Sequence, residues 1–256
     1  MDTLLTNENL LVGHPVSLHV LDYGLFKVHE NGREVGICGF LIRTSEDECI
    51  LIDTGFPAKY ARDPHAATMQ DTLNNFGEVL ICGPENQPVP QLARAGVTPD
   101  QITVMIQTHT HVDHVGGIAD FPHAPIIIAE AERELEKPLY YGDVRPIDWP
   151  DRQYNLITED IRIGPGFQIL LTPGHAPGQL AMLVDLPDTG PILLTSDAIS
   201  REAEIDEKFA GSWNESLARH HGARLMDLAV KTGAMIIFGH SPEQWPSLRK
   251  APLAYT

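Results

Sequence analysis

Thr108-His109-Thr110-His111-Val112-Asp113-His114-Val115-Gly116-Gly117 is the stretch on which the reading of this chain turns. It follows an apolar run, Ile102-Thr103-Val104-Met105-Ile106, that reads as a buried strand. At a strand end, residues two apart point the same way, so His109 and His111 can present imidazole nitrogens to one metal ion. Asp113 and His114 fall where the chain turns and can face a second ion beside the first. Gly116-Gly117 lets backbone pack closely behind the loop. A lone histidine is more often a hydrogen-bonded structural residue than a ligand. Four ligand-type residues in six positions are hard to place without a metal, because neighbouring cations would repel and buried carboxylates would go unpaired.

Upstream, Val16-Ser17-Leu18-His19-Val20, Gly39-Phe40-Leu41-Ile42-Arg43 and Cys49-Ile50-Leu51-Ile52 read as strands. The last runs into Asp53-Thr54-Gly55, where a carboxylate at a buried strand end can orient a ligand histidine from behind. Asp is also favoured simply as a turn former. His14, His19 and His29 stand alone and read as surface or core residues. Between residues 57 and 90 lie Pro57, Pro64, Pro84, Pro88 and Pro90, with a helix expected near residues 66–76; this reads as an insertion over one face, where substrate contacts can sit. Pro90-Gln91-Leu92-Ala93-Arg94-Ala95-Gly96 reads as a short helix ended by glycine.

Downstream, Ala124-Pro125-Ile126-Ile127-Ile128-Ala129 reads as a strand followed by a polar helix through Glu130, Arg133 and Glu134. Residues 137–159 are irregular and aromatic, a composition that suits a pocket wall or an interface. A strand at Phe167-Gln168-Ile169-Leu170-Leu171 delivers His175 into a turn bracketed by Pro and Gly on both sides, where the first ion could take it as third ligand. Residues 180–184 and 191–195 read as strands, the second ending in Ser196-Asp197-Ala198, and a carboxylate there can bridge two cations. Ser212-Trp213-Asn214-Glu215 has the form of a capping box opening a helix with Leu217, His221, Leu225 and Leu228 on one face, so His221 reads as packed. Gly233 closes that helix, Met235-Ile236-Ile237-Phe238 makes a strand, and Gly239-His240 presents a last histidine at its end.

The whole chain of 256 residues, 43% apolar, shows no linker or repeat and reads as one domain over residues 1–256 with a sizeable core. A net charge of -17, from 18 Lys and Arg against 35 Asp and Glu, argues against a nucleic-acid partner and suits a small-molecule substrate that is neutral or weakly charged. Cys38, Cys49 and Cys82 lack any metal-knuckle spacing and read as reduced thiols. The start, Met1-Asp2-Thr3-Leu4-Leu5-Thr6-Asn7-Glu8, has no basic n-region or long apolar core, and no segment is long enough to span a bilayer, so the expected location is cytoplasmic, with no membrane partner.

The ordered set His-x-His-x-Asp-His, His175, Asp197 and His240 resembles the metallo-β-lactamase superfamily over nearly the full chain. The resemblance implies an α/β fold, a four-layer αβ/βα sandwich with the metals at one edge between two sheets. It further implies that His109, His111 and His175 hold one ion, Asp113, His114 and His240 the other, and that Asp197 bridges them together with a hydroxide. Two divalent metal ions are thus expected, zinc foremost, with iron, cobalt or manganese compatible with the same donors. Within the superfamily, Pro173-Gly174-His175-Ala176-Pro177-Gly178, Ser196-Asp197-Ala198, Phe238-Gly239-His240 and the tail Lys250-Ala251-Pro252-Leu253-Ala254-Tyr255 look like the N-acyl-homoserine lactonases and γ-butyrolactone lactonases. Ser200 departs from that group, which usually carries a tyrosine there to polarise the lactone carbonyl, and serine is too short for the same contact.

The expected function is therefore hydrolysis of a lactone, of the kind that quenches quorum signals. The ion pair would lower the pKa of a shared water from about 15.7 toward about 7, and Asp113 would relay a proton to the departing alkoxide. Asp113 and Asp197 are the catalytic candidates. Thioester hydrolysis of the hydroxyacylglutathione type shares all the ligands, and phosphotriester or aryl-ester hydrolysis is compatible with them. An iron-dependent sulfur dioxygenase uses part of the set around one iron. True β-lactamases of this fold usually lack the bridging aspartate and carry export signals, and a binding protein without activity would not require the full ligand set. Members of the family often form homodimers.

Overall fold

Side-chain alternation builds the layers. In the strand Leu180–Leu186, Leu180, Met182, Val184 and Leu186 pack into one core while Ala181 packs into another, so this strand is covered on both faces. The same division runs through Cys49–Ile52, where Ile50 and Ile52 face one core and Cys49 and Leu51 a different one. These sequences are near-continuous apolar runs for that reason.

The computed structural model describes residues 2–6 and 10–256; of the opening stretch read for a signal sequence, residues 1, 7 and 8 lie outside the described residues. The larger sheet comprises β1 (Asp2–Leu4), β2 (Pro15–Val28), β3 (Glu34–Thr44), β4 (Cys49–Ile52), β5 (Gly77–Ile81), β6 (Ile102–Ile106), β7 (Ile126–Ala129) and β8 (Tyr154–Ile157), in the order β1-β8-β7-β6-β4-β3-β2-β5. The smaller comprises β9 (Ile161–Gly164), β10 (Phe167–Leu171), β11 (Leu180–Leu186), β12 (Gly190–Ser196) and β13 (Met235–Phe238), in the order β13-β12-β11-β10-β9. One core, with Val20, Phe40, Ile52, Ile106 and Ile127 opposite Phe167, Met182, Val184 and Ile192, lies between the sheets. On the outer face of the larger sheet, Leu41, Leu51, Met105 and Ile126 pack with Tyr60, Ala67 and Leu92 of helices α1 (Ala58–Arg62), α2 (Pro64–Gln70) and α3 (Pro88–Arg94). After the short α4 (Glu130–Arg133), the long α5 (Glu215–Thr232) covers the outer face of the smaller sheet through Ala218, Leu225 and Ala229 against Leu170, Ala181 and Leu193. The result is the expected helix–sheet–sheet–helix sandwich.

Several elements differ from the sequence reading. The β2–β3 hairpin is much longer than Val16 to Val20 and Gly39 to Arg43, pairing from Pro15 opposite Thr44 out to Lys27 opposite Glu34. Two glycines inside it serve close approach: a Cβ on Gly24, which has φ +117, would fall 1.9 Å from the Ile81 carbonyl oxygen, and one on Gly36 would enter the Trp245 ring. The helix expected near residues 66–76 is α2, capped by the Asp63 side chain, followed after Thr72 (φ 55) by a separate 3₁₀ turn at Leu73–Asn75. The cap of α5 is Asn214, whose side chain accepts from Leu217 N at 3.1 Å, and not Ser212. The buried face of α5 is Ala218, Gly222, Leu225 and Ala229: Leu225 is buried as expected, while Leu217, His221 and Leu228 each give way to the residue that follows, the helix lying close enough that a Cβ on Gly222 would meet the Phe209 ring at 2.4 Å. Cys38, Cys49 and Cys82 are buried free thiols. Among the described residues no helix is long and apolar enough to cross a membrane.

Candidate metal centre

Strand ends from both sheets converge at one edge. The parallel pairs β4–β6 and β12–β13 bring the segments after Ile52, Ile106, Ser196 and Phe238 to it, carrying Asp53, residues 107–114, Asp197 and His240. His175 follows β10, and the loop holding it is pinned to α5 by Asn214 N donating to the Gly174 carbonyl at 2.8 Å. Asp53 and Ser196 both adopt positive φ, 57° and 44°, at the point where the chain leaves its strand.

All seven expected ligands meet there, in three overlapping groups whose donor atoms lie within 4.8 Å of one another: His109 with His111 and His175, Asp113 with His114 and His240, and His109 with His114 and Asp197. In the first group His111 Nδ1 lies 3.0 Å from His109 Nε2 and 2.9 Å from His175 Nε2. Donors about 2.0–2.1 Å from one tetrahedral ion stand about 3.3 Å apart, so these rings are spaced as co-ligands would be. In the second, Asp113 Oδ2 is 3.7 Å from His114 Nε2 and 3.4 Å from His240 Nε2. Asp197 lies between: its Oδ1 is 3.4 Å from His114 Nε2 and 3.2 Å from His240 Nε2, while its Oδ2 is 3.5 Å from His175 Nε2. His14, His19 and His221 take no part; His19 Nδ1 meets the Leu253 carbonyl oxygen at 3.1 Å.

The donors fit cations. His114 Nδ1 faces Asp53 Oδ2 at 2.8 Å and His240 Nδ1 faces the Gly36 carbonyl at 2.9 Å, so in each ring Nδ1 carries the hydrogen and Nε2 turns toward the carboxylates of Asp113 and Asp197. Neutral rings would point lone pair at lone pair. His114 Nε2 and Asp197 Oδ1 are buried without a hydrogen-bond partner among the described residues, a costly arrangement unless an ion stands between them. The charges divide in the same way. Burial and neighbouring imidazoles hold His109 well below its ordinary value and His111 down to about 3, and burial lowers His175. Burial opposes charge on His114 as well, yet Asp113, Asp197 and Asp53 outweigh it and raise it to about 9; against the same burial, Asp197 and Asp113 raise His240 to about 10. Asp197, though buried, is held well below the carboxylate range by His240, His114 and His175.

Behind the ligands is a set of supports, of which the sequence pointed only to Asp53. Its Oδ2 takes His114 and the Thr108 hydroxyl (2.7 Å), and its Oδ1 accepts from Thr108 N (2.9 Å) and Gln107 Nε2 (3.1 Å). Tyr140, which carries φ 58, is zipped along the metal loop by its N–H to the Thr110 carbonyl and its carbonyl to Val112 N; its hydroxyl donates to buried Asp71 at 2.5 Å, beside Tyr60 at 2.8 Å. Glu132 accepts from Thr110 and Gly178. No local motif marks these residues.

A cavity of about 510 Å³ opens directly on His111, Asp113, His175, Asp197 and His240. Phe26, Val35, Ile37, Phe56, Leu73 and Phe76 form an apolar side, with Phe26 stacked on Phe76 at 5.8 Å. Leu73 of the 3₁₀ turn and Phe76 just after it bring the proline-rich insertion to the cavity, and Tyr141 of the irregular aromatic segment lines it too. Ser200 also lines the cavity; its N–H donates to Glu204 Oε2 at 2.8 Å and its carbonyl accepts from His240 N at 2.7 Å.

The sequence between residues 38 and 240 matches the family model of the metallo-beta-lactamase superfamily. An N-acyl homoserine lactonase of Bacillus cereus is 32% identical over 80% of this chain and 81% of its own length. The N-acyl homoserine lactonase AttM of Azorhizobium caulinodans is 34% identical over 94% of this chain and 98% of its own. Among solved structures, an N-acyl homoserine lactone hydrolase with the product N-hexanoyl-L-homoserine bound at its catalytic metal centre superposes with a TM-score of 0.81 at 27% identity, covering 94% of this chain and all (100%) of that one.

Proposed function

This chain belongs to the metallo-beta-lactamase superfamily, and from that premise we propose that it is a metal-dependent hydrolase opening the ring of N-acyl homoserine lactones or related γ-butyrolactones, working as a single domain over residues 1–256. In this reading His109, His111 and His175 hold one divalent cation, Asp113, His114 and His240 a second, and Asp197 joins the two. Zinc is the first candidate, because imidazole and carboxylate donors at these spacings suit it.

The observation that carries the reading is the division of the Asp197 carboxylate between two donor groups, one oxygen toward His114 and His240 and the other toward His175. That is the arrangement a paired-ion hydrolase requires of a shared ligand. The substrate class is supported by relatives of that activity that align with most of the chain at 32–34% identity. Bound there, two divalent cations supply an acidified water and polarisation of an ester carbonyl. The protein's own groups do the rest. Asp53 and the Gly36 carbonyl fix the tautomers of His114 and His240, so that both turn Nε2 inward. Asp113, whose carboxylate faces the cavity, is placed to carry a proton to the departing alkoxide. The Phe26, Phe56 and Phe76 side of the cavity accepts an apolar acyl group and keeps water from it. Ser200 lines the cavity with a hydroxyl too short to reach the carbonyl as a tyrosine at that position would.

The test is ring opening of short- and long-chain acyl-homoserine lactones and γ-butyrolactone, followed by proton release, with metal content measured on the same sample. Turnover with about two ions per chain, lost in His109→Ala and Asp197→Ala, is the expected result. No lactone turnover from chain carrying about two ions would overturn the substrate assignment and direct the search to thioesters and phosphotriesters.

A further inference from the structure

Glu132 is not a ligand, yet it stands between the two turns that supply the first donor group. Its side chain is fully buried at the start of α4, directly after β7. One carboxylate oxygen, Oε2, accepts from the Thr110 hydroxyl at 2.5 Å; the other, Oε1, accepts from Gly178 N at 3.2 Å. Thr110 sits between His109 and His111, in the segment following β6 of the larger sheet. Gly178 belongs to the turn carrying His175, between β10 and β11 of the smaller sheet. The Thr110 oxygen already accepts from Leu139 N at 2.9 Å, so the hydroxyl hydrogen is free to be committed to Glu132. The fit on the other side is equally close: a Cβ on Gly178 would lie 2.6 Å from both Ala129 Cβ and Glu132 Cγ.

We propose that Glu132 is a positioning residue that sets the separation between the His109–His111 pair and His175, and so shapes the first ion's site. The inference rests on the assignment of these three histidines to one ion. A carboxyl group is an expensive filler for this place: burial raises its pKa, and the donors around it, Thr110 and Gly178 foremost, with the charge of Arg145, offset part of that cost. An apolar side chain of similar volume would pack there at less expense. What it could not do is accept hydrogen bonds from two turns of different sheets at once, which fixes both the distance and the register between them.

The test uses the cobalt-loaded full chain. Glu132→Gln keeps size but loses one acceptor. It is expected to alter the visible absorption of bound cobalt, to weaken metal retention against a chelator about 10–100-fold, and to lower kcat with KM little changed, while far-ultraviolet circular dichroism stays that of the parent. Thr110→Val cuts the same link from its other end and should reproduce the spectral change; Thr110→Ser, which keeps the hydroxyl, should restore the parent spectrum. If Glu132→Gln does not fold, the Thr110 pair decides. Parent-like cobalt spectra and chelator competition in Glu132→Gln and Thr110→Val would overturn the proposal, as would Thr110→Ser behaving like Thr110→Val. The spectrum is read without substrate, so a changed spectrum in a chain that opens no lactone upholds the positioning role while the lactonase reading fails. An unchanged spectrum in an active lactonase does the reverse. Failure of the parent chain to take up cobalt overturns both.

Discussion

Asp53 stands behind the proposed centre without belonging to its donor set. Its two oxygens receive His114, the Thr108 hydroxyl and N–H, and the Gln107 amide, all buried. Asp53→Ala is expected to loosen metal at the Asp113–His114–His240 group by 10–100-fold and to destabilise the chain by several kcal/mol, since each stranded donor costs about 1–3 kcal/mol; chelator competition and urea unfolding check the two effects. Asp53→Asn, which keeps one acceptor, should fall between, and a parent-like metal affinity in Asp53→Ala would sink the orienting role. Asp53 was readable from sequence because a carboxylate at the end of an apolar strand is conspicuous, just as the proposed ligands stood out by residue type and spacing. Gln107, Thr108, Glu132 and Gly36 were not. The Gly36 carbonyl orients His240 across 204 positions of sequence, and a carbonyl oxygen has no residue-type signature.

At the scale of elements, α5 does more than cover a sheet. Its first turn receives the His175 loop so closely that a Cβ on Gly174, which has φ +157, would lie 2.4 Å from Ala218 N and 2.5 Å from Ala218 Cα. Gly174→Ala should therefore cost about 1–3 kcal/mol and also reduce metal retention, because relief requires the loop to move with His175. Leu225→Ala, in the middle of the same helix against the sheet, should cost more, about 2–5 kcal/mol, and leave metal retention as it was. Thermal unfolding and metal analysis of the two variants separate the effects; equal retention in both would show that the loop does not lean on the helix. Strand identities were largely readable here because strands covered on both faces must be apolar throughout. What misled was register and contact. Ser212 and Asn214 are both good caps, but it is Asn214 that accepts from Leu217 N, and the close approach of Gly222 to Phe209 puts small residues in place of Leu217 and Leu228 on the buried face. The outer part of the β2–β3 hairpin went unread, and its Gly24 and Gly36 are matched to Ile81 and Trp245, far away in sequence.

For the molecule as a whole, the histidines of the centre set a pH profile for the metal-free chain. Unfolded, His109, His111, His114, His175 and His240 all titrate near 6.5. Folded, three are depressed, so as pH falls below 6.5 the unfolded chain takes up protons those three refuse, and stability drops. The other two are raised, so their stabilisation is complete below 6.5 and is lost as pH rises through about 9 and about 10. Urea unfolding of chelator-treated protein should therefore peak near pH 6.5, and restoring metal should remove the decline on the alkaline side, since ions bind the deprotonated rings. A stability that rises steadily through pH 8 without metal would contradict this. The cavity has a further consequence. Its floor is made of the proposed ligands, whereas Val28, Arg33, Leu73, Phe76, Tyr141 and Ser212, which stand around it, belong to a hairpin tip, a helical insertion and connecting loops outside the proposed donor set. Those walls can be recut one side chain at a time while the reactive floor stays as it is, so one inorganic centre can be offered a succession of differently shaped esters.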